Sequence, residues 1–221
     1  MTALCQPKDL RRPVARLALE PPLEPEPTAH TLRVGLLGGS FNPAHEGHRY
    51  ISLEALKRLG LDQVWWLVSP QNPLKTTDGM APLAERLAGA ARIARHPRLR
   101  VLALETRLGT RYTADTLARL ARWPGFRFVW LMGADNLAQL PRWRRWRGIL
   151  EACPVAIFER HPYSYAALAG TAARSLVTAR RAEADARSLV NQPAPAWVFM
   201  RMRPHPASAT AIRAGIAVAQ A

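Results

Sequence analysis

Two histidines, His45 and His48, stand three positions apart in the segment Gly38-Gly39-Ser40-Phe41-Asn42-Pro43-Ala44-His45-Glu46-Gly47-His48. On a helical turn that spacing puts both imidazoles on one face. An imidazole can donate or accept a hydrogen bond and can take up a proton near neutral pH. Gly38 and Gly39 leave the backbone bare, so an anionic group can come close to it. A helix beginning after them would add unpaired N–H groups and the positive end of its dipole. This combination of residue types suits phosphate chemistry. It would also serve a plain Gly-rich turn in which Asn42 caps the next helix.

The elements around the segment decide where it sits. The apolar run Val34 to Leu37 reads as a buried strand, and Ile51, Leu53, Leu56 and Leu59 recur at helical spacing. The histidines therefore lie at a strand-to-helix turn. In an open parallel sheet, ligands bind outside the carboxyl ends of the strands. Further strands are expected at Val64 to Val68, Leu99 to Leu104, Phe126 to Met132, Val155 to Phe158 and Trp197 to Met202. Helices are expected at Pro82 to Arg95, Thr113 to Arg122, Asp135 to Leu140, Trp143 to Leu150 and Thr210 to Ala219. The alternation implies an α/β domain with a single doubly wound, mainly parallel sheet and helices on both faces. Residues 163–190 are Ala/Arg-rich and helical in propensity. Residues 1–31 include the run Glu20 to Pro27, which alternates Pro and Glu and suits neither helix nor strand. They are read as a disordered or loosely attached extension, and 32–221 as the domain.

Four more segments could handle ligands. Ser69-Pro70-Gln71-Asn72-Pro73-Leu74-Lys75 follows the second strand and presents one ammonium on a Pro-stiffened loop. Arg111-Tyr112-Thr113-Ala114-Asp115-Thr116-Leu117 opens a helix, with Thr113 as a plausible N-cap. Met132-Gly133-Ala134-Asp135-Asn136-Leu137, followed by Pro141-Arg142-Trp143, ends the fourth strand. There Asp135 could accept from ribose hydroxyls or cap a helix, and Trp143 offers a flat face for an aromatic ring. The spacing of Trp143 and Trp146 equally suits two core residues on one helix face. Ser208-Ala209-Thr210-Ala211-Ile212-Arg213 puts hydroxyls and a guanidinium at the start of the last helix.

The eleven-residue segment resembles the GG(T/S)F(D/N)PxHxGH signature of the bacterial nicotinate mononucleotide adenylyltransferases, within the HxGH nucleotidyltransferase superfamily. The other four segments are similar, in order, to that family's Lys-bearing loop, (S/T)YTxDTL, GADxL…W and ISSTxIR motifs. The resemblance covers roughly residues 33–216. It departs at Asn42, where many members have Asp, and at Ala207 and Ala209, which replace the Ile and the second Ser. It implies a Rossmann-like fold that transfers the adenylyl group of ATP to nicotinate mononucleotide, with Mg²⁺ on the phosphates and no metal ligand from the protein. It assigns catalysis to His45, His48, Lys75 and Arg213. ATP would contact Gly38, Gly39, Ser40, Phe41, His48, Asp135, Ser208, Thr210 and Arg213. The mononucleotide would contact Asn42, Lys75, Thr113, Trp143 and Arg144. A transferase using the amide mononucleotide or another phosphate acceptor is the nearest alternative.

Composition is compatible with these readings. The formal net charge of +15, from 31 Lys and Arg against 16 Asp and Glu, favours partners that carry phosphate. A basic RNA-binding protein on the same fold is a remote alternative, motivated by Arg142-Trp143-Arg144-Arg145-Trp146-Arg147. An amphipathic helix with Trp inward explains that run better, and nucleic acid is not expected. The two cysteines, Cys5 and Cys153, form no CxxC pair, so neither a metal site nor a disulfide framework is indicated. No apolar run reaches membrane-span length, and the N-terminus shows no apolar signal core. The expected compartment is the cytoplasm. Oligomeric state is not legible.

Overall fold

The computed structural model describes residues 31–71, 79–207 and 209–213. The expected N-terminal extension and most of the Lys75 loop lie outside these residues.

Seven parallel strands form one sheet. They are β1 (Leu32–Gly39), β2 (Gln63–Val68), β3 (Leu99–Leu102), β4 (Phe126–Gly133), β5 (Val155–Phe158), β6 (Arg180–Arg181) and β7 (Trp197–Met200), in the order β3-β2-β1-β4-β5-β7-β6. The central strands are apolar because both faces are covered, as a parallel sheet requires. Successive side chains leave opposite faces, so neighbouring residues enter different cores. Trp65 packs with Leu36, Trp130, Leu117 and Ile149 on one face, while Trp66 packs with Leu37, Leu131, Leu56 and Leu87 on the other. Helices α4 (Thr113–Leu120) and α6 (Trp146–Ala152) supply the first face. Helices α1 (Glu46–Arg58) and α2 (Leu83–Ile93) supply the second.

The chain builds outward from β1 to β2 and β3, then returns to lay β4 on the other side of β1. The order of the sheet therefore reverses between β1 and β4, and a crevice opens there at the carboxyl ends.

Several expected elements differ in detail. The third strand stops at Leu102, and a short helix α3 (Leu104–Leu108) follows, closed by Gly109 in the left-handed region at φ 59°. Such a residue at a helix end is usually Gly because it carries no Cβ. The last strand ends at Met200, two residues early. Helix α5 (Ala134–Gln139) runs into a 3-10 turn, Leu140–Arg142, that contains Pro141. Trp143 is then extended and Arg145 takes φ 53°, so α6 begins only at Trp146. Trp143 and Trp146 thus do not share a helix face. The Ala/Arg-rich stretch holds α7 (Ser164–Ala169), α8 (Thr171–Ser175), the edge strand β6 and 3-10 turns. The last helix is described as α9 (Ala209–Arg213); its expected continuation lies outside the described residues. Among these residues no helix is long and apolar enough to cross a membrane.

Candidate active site

The turn after β1 is shaped by Phe41. Its backbone takes φ 47° and its ring is only 2% exposed. The ring stacks on Trp66 at 5.1 Å and leans on His48 at 4.8 Å. Phe41 lines the cavity of the site, with its ring forming a wall behind His48. Asn42 does not cap α1. Its amide donates to the Gly79 carbonyl and its Oδ1 accepts from the Ala81 N–H, which ties the loop before α2 to the turn. The N-cap is His45.

The two imidazoles lie with their centroids 3.8 Å apart. The His45 backbone N–H donates to Nδ1 of His48 at 3.2 Å. In a neutral ring with Nδ1 accepting, the proton must sit on Nε2. Burial pushes His48 well below its ordinary pKa, reinforced by His45 and Arg160, so the ring is neutral. Burial, Arg160 and His205 likewise push His45 down to about 4. Behind them Ser52 fixes the helix: its hydroxyl donates to the His48 carbonyl and accepts from the Trp66 indole N–H, both at 2.8 Å.

Glycines in this segment make room for protein as much as for ligand. A Cβ on Gly38 would lie 2.3 Å from the Trp130 indole. A Cβ on Gly47 would lie 2.9 Å from Nδ1 of His45 and 3.3 Å from the Ala207 carbonyl. That explains why a glycine separates the histidines: the His45 ring folds back over it. Gly47→Ala should therefore displace the His45 ring and lower any turnover that depends on that imidazole by about 10²-fold, the effect of an ångström of misplacement. Steady-state kinetics beside a melting curve would check it. A normal turnover would show that His45 tolerates displacement.

The turn opens into a cavity of about 410 Å³ at the β1–β4 crevice. Gly38, Gly39, Ser40, Asn42, His45 and His48 line it from the β1 side. Thr113, Asp135, Trp143, Arg144, Thr210 and Arg213 line it from later elements. Every expected site residue within the described part is thus brought to one cavity, and Lys75 and Ser208 lie outside that part. Thr113 is the first helical residue of α4, with Tyr112 as its N-cap. Arg144 sits over the Tyr112 ring at 4.7 Å. Arg213 donates to the Asn42 carbonyl at 2.6 Å, joining α9 to the first turn. Asp135 makes no cap contact; it holds Arg160 at 2.9 Å.

Buried polar atoms without a partner concentrate here. His45 Nδ1, Glu105 Oε2, Trp130 Nε1 and Asp135 Oδ1 have none among the described residues, and all four residues line this cavity. Native proteins rarely leave such atoms bare except where a ligand or water completes them. Glu105, whose pKa burial raises, together with Tyr112 and Arg160, was not singled out by the sequence reading. The rule that ligands meet strand ends would have nominated Arg160, two residues past β5. Among the described residues no group of three or more His, Cys, Asp or Glu could hold a metal ion. A cleft of about 620 Å³ at the β6 edge is the larger space. Along it Glu183 accepts from Arg58 and the Arg201 N–H, and Arg180 covers Trp197.

A phosphate-suited crevice with paired neutral imidazoles, set at the reversal point of a parallel sheet, is the arrangement of a nucleotidyl-transferring α/β protein, and residues 36–215 match the cytidylyltransferase-like family. The chain is 53% identical over 183 residues to a Bradyrhizobium protein named "Probable nicotinate-nucleotide adenylyltransferase", covering 82% of this chain and 95% of that one. A Cereibacter sphaeroides protein of the same name is 56% identical over 182 residues, covering 82% and 96%. The chain belongs to the nicotinate-nucleotide adenylyltransferase family. The fold is shared with the Plasmodium falciparum nicotinic acid mononucleotide adenylyltransferase complexed with NaAD, at TM-score 0.58 and 14% identity over 77% of this chain and 75% of that one.

Proposed function

We propose that this chain transfers the adenylyl group of ATP to nicotinate mononucleotide, yielding nicotinate adenine dinucleotide and pyrophosphate in NAD biosynthesis. The observation that carries this reading is the neutral His45–His48 pair at the crevice, in a chain more than half identical to relatives bearing that name. A phosphate oxygen of the mononucleotide attacks the α-phosphorus of ATP. The bond from that phosphorus to the bridging oxygen breaks, and pyrophosphate takes the electron pair. The acceptor phosphate is already an anion, so no protein nucleophile is needed.

The protein's part is alignment and charge stabilisation. His48 donates from Nε2 toward the α-phosphate, and His45 stands beside it. Thr210 and Arg213 face the phosphates from α9, and the bare backbone of Gly39 lets the nucleotide approach. Mg²⁺ carried in on ATP would be held by phosphate oxygens and would offset their charge. The pyridine ring would lie on Trp143, with Tyr112, Thr113 and Arg144 around it. Trp143→Ala should then raise KM for the mononucleotide by about 10-fold, the loss of a stacked aromatic contact. The KM for ATP should hold. Equal change in both would remove Trp143 from the acceptor end. We read the compartment as the cytoplasm, where the free, buried Cys153 stays reduced.

The test is pyrophosphate release from ATP and Mg²⁺, with nicotinate mononucleotide and its amide side by side. Release with the acid alone supports the reading. Equal release with both would remove the acid preference. Release with neither would overturn the assignment.

A further inference from the structure

We propose that the Pro/Glu-rich run Glu20 to Pro27 docks at the outer edge of the sheet. Its amino end enters the cleft beside β6, where Arg181 and Arg201 meet its carboxylates and Tyr165 and Val177 meet its apolar side chains. The occupant is a segment of the same chain, and the proposal does not depend on the reaction assigned to the crevice.

The cleft of about 620 Å³ lies where β6 and β7 meet α7. Strand β6 is outermost in the sheet and pairs with β7 alone. Tyr165 is 89% exposed and Val177 66% exposed, and both line the cleft. Among the described residues they are the two most exposed large hydrophobic side chains. Such groups gathered on one concave surface mark a contact site, whereas scattered ones do not. The cleft also carries charge to spare. Its Glu183 is taken by Arg58, and its Glu159 accepts from the Met202 N–H at 3.1 Å. The guanidinium groups of Arg181 and Arg201, both exposed, make no hydrogen bond or ion pair among the described residues.

The run supplies what this surface lacks. Glu20, Glu24 and Glu26 bring three carboxylates within seven residues, and no Lys or Arg stands between Glu20 and Leu32. In a chain of net charge +15 that is a complementary segment. Carboxylates suit the planar fork of arginine. Pro22 and Pro25 fall at P-x-x-P spacing, with Leu23 between them. Proline-rich segments of that kind dock extended in grooves lined by aromatic side chains, and lose little entropy in doing so. Tyr165 and Phe199 provide such a lining.

The tether is long enough. The register runs from Leu36 of β1 through Trp130, Val155 and Trp197 to Arg180 of β6. Strand β6 therefore stands about 19 Å across the sheet from β1, and Arg180 stands about 13 Å above the level of Leu32. The direct distance is about 23 Å, and the path along the margin and up the edge about 32 Å. Extended chain reaches about 27 Å from Leu32 back to Glu24 and about 40 Å back to Glu20. The run thus spans the distance to the cleft. Tethering gives it an effective concentration on the order of 1 mM, so a contact of modest affinity is occupied most of the time.

The experiment uses the full chain with Cys5→Ser and Ala18→Cys. Cys153 is buried, so a nitroxide attaches at residue 18 alone. The nitroxide broadens the amide resonances close to it. Those of Tyr165, Val177, Arg181 and Arg201 should lose most of their intensity, while β3, at the opposite edge, should keep its own. Arg181→Glu with Arg201→Glu should restore the lost signals. Adding Glu20→Arg, Glu24→Arg and Glu26→Arg to that variant should bring the loss back. The three Glu→Arg changes without the Arg→Glu changes should abolish the loss and leave every strand residue as it was. Loss spread evenly, or centred on the crevice or on α4, would overturn the proposal. So would loss that persists in the Arg181→Glu, Arg201→Glu variant. Isotope-labelled chains without nitroxide, mixed with nitroxide-bearing chains without isotope, should show no loss; loss there would make the occupant a second copy and overturn the proposal as well.

Discussion

His48→Ala is expected to lower turnover by about 10²–10³-fold, the usual cost of one donor aimed at developing phosphate charge. The KM for ATP should change little, because the donor is realised most strongly in the transition state. The ring is also in contact with Phe41 and lies near Trp66, so a packing role must be separated from a chemical one. His48→Gln keeps an N–H near the position of Nε2 and should restore part of the rate. A variant whose melting temperature and turnover fall in step, with no rescue by Gln, would make His48 a packing residue. The neutrality of the pair has its own signature. His45 sits at about 4 when folded against an ordinary 6.5, so as pH falls the unfolded chain takes its proton first. The stability tied to this group is intact above pH 6.5, drains away between there and about 4, and is constant below. A shift of that size amounts to on the order of 3 kcal/mol. His48 acts in the same direction. Denaturant titrations at pH 7, 6 and 5 should show the decline, and His45→Gln with His48→Gln should flatten it. An unchanged slope would mean that these rings are not neutral in the folded protein.

Arg86→Ala should be the most damaging change away from the cavity. Arg86 rises from α2 and is 4% exposed. Its Nε donates to the Ala81 carbonyl at 2.9 Å. One terminal nitrogen donates to the Ser40 and Ser69 carbonyls, at 2.8 and 2.7 Å, and the other to Pro70 at 2.9 Å. One cation thus gathers the turn after β1 and the loop after β2. Bonds to a charged donor contribute about 1.5–3 kcal/mol each and do not add fully, so a loss of about 3–5 kcal/mol is expected. Arg86→Lys is the sharper probe. An ammonium has three donors and no fork, so it cannot reach carbonyls on three separate segments. That variant should fold and yet lose about 10²-fold in kcat/KM, through loops displaced by fractions of an ångström. Full kcat/KM in the Lys variant would show that the clamp holds the fold without placing the site.

What could be read from the chain follows from how local each signal is. The central strands are short apolar runs bounded by polar turns, so β1, β2, β4 and β5 lay within a residue or two of their expected ends. The β1–α1 turn was legible because its chemistry is contiguous: glycines, a hydroxyl and both histidines fall within eleven residues. Trp143 and Trp146 misled because their spacing fits a helix, and nothing nearby announces the left-handed Arg145. Arg86 and Arg160 were invisible for another reason. With 31 Lys and Arg in the chain, a guanidinium at any one position carries little information. Arg86 reaches carbonyls 46, 17 and 16 residues before it, which no residue type encodes, and Arg160 reaches a carboxylate 25 residues before it.

The reversal of the sheet between β1 and β4 makes the crevice a product of connectivity and not of any one side chain. Stripping out His45 and His48 would remove the chemistry and leave the cleft, its bare backbone and its arginines in place. Such a chain would still take up nucleotide without consuming it. A few substitutions therefore separate this enzyme from a nucleotide sensor, with occupancy, read as a rise in melting temperature on ligand addition, as its only output.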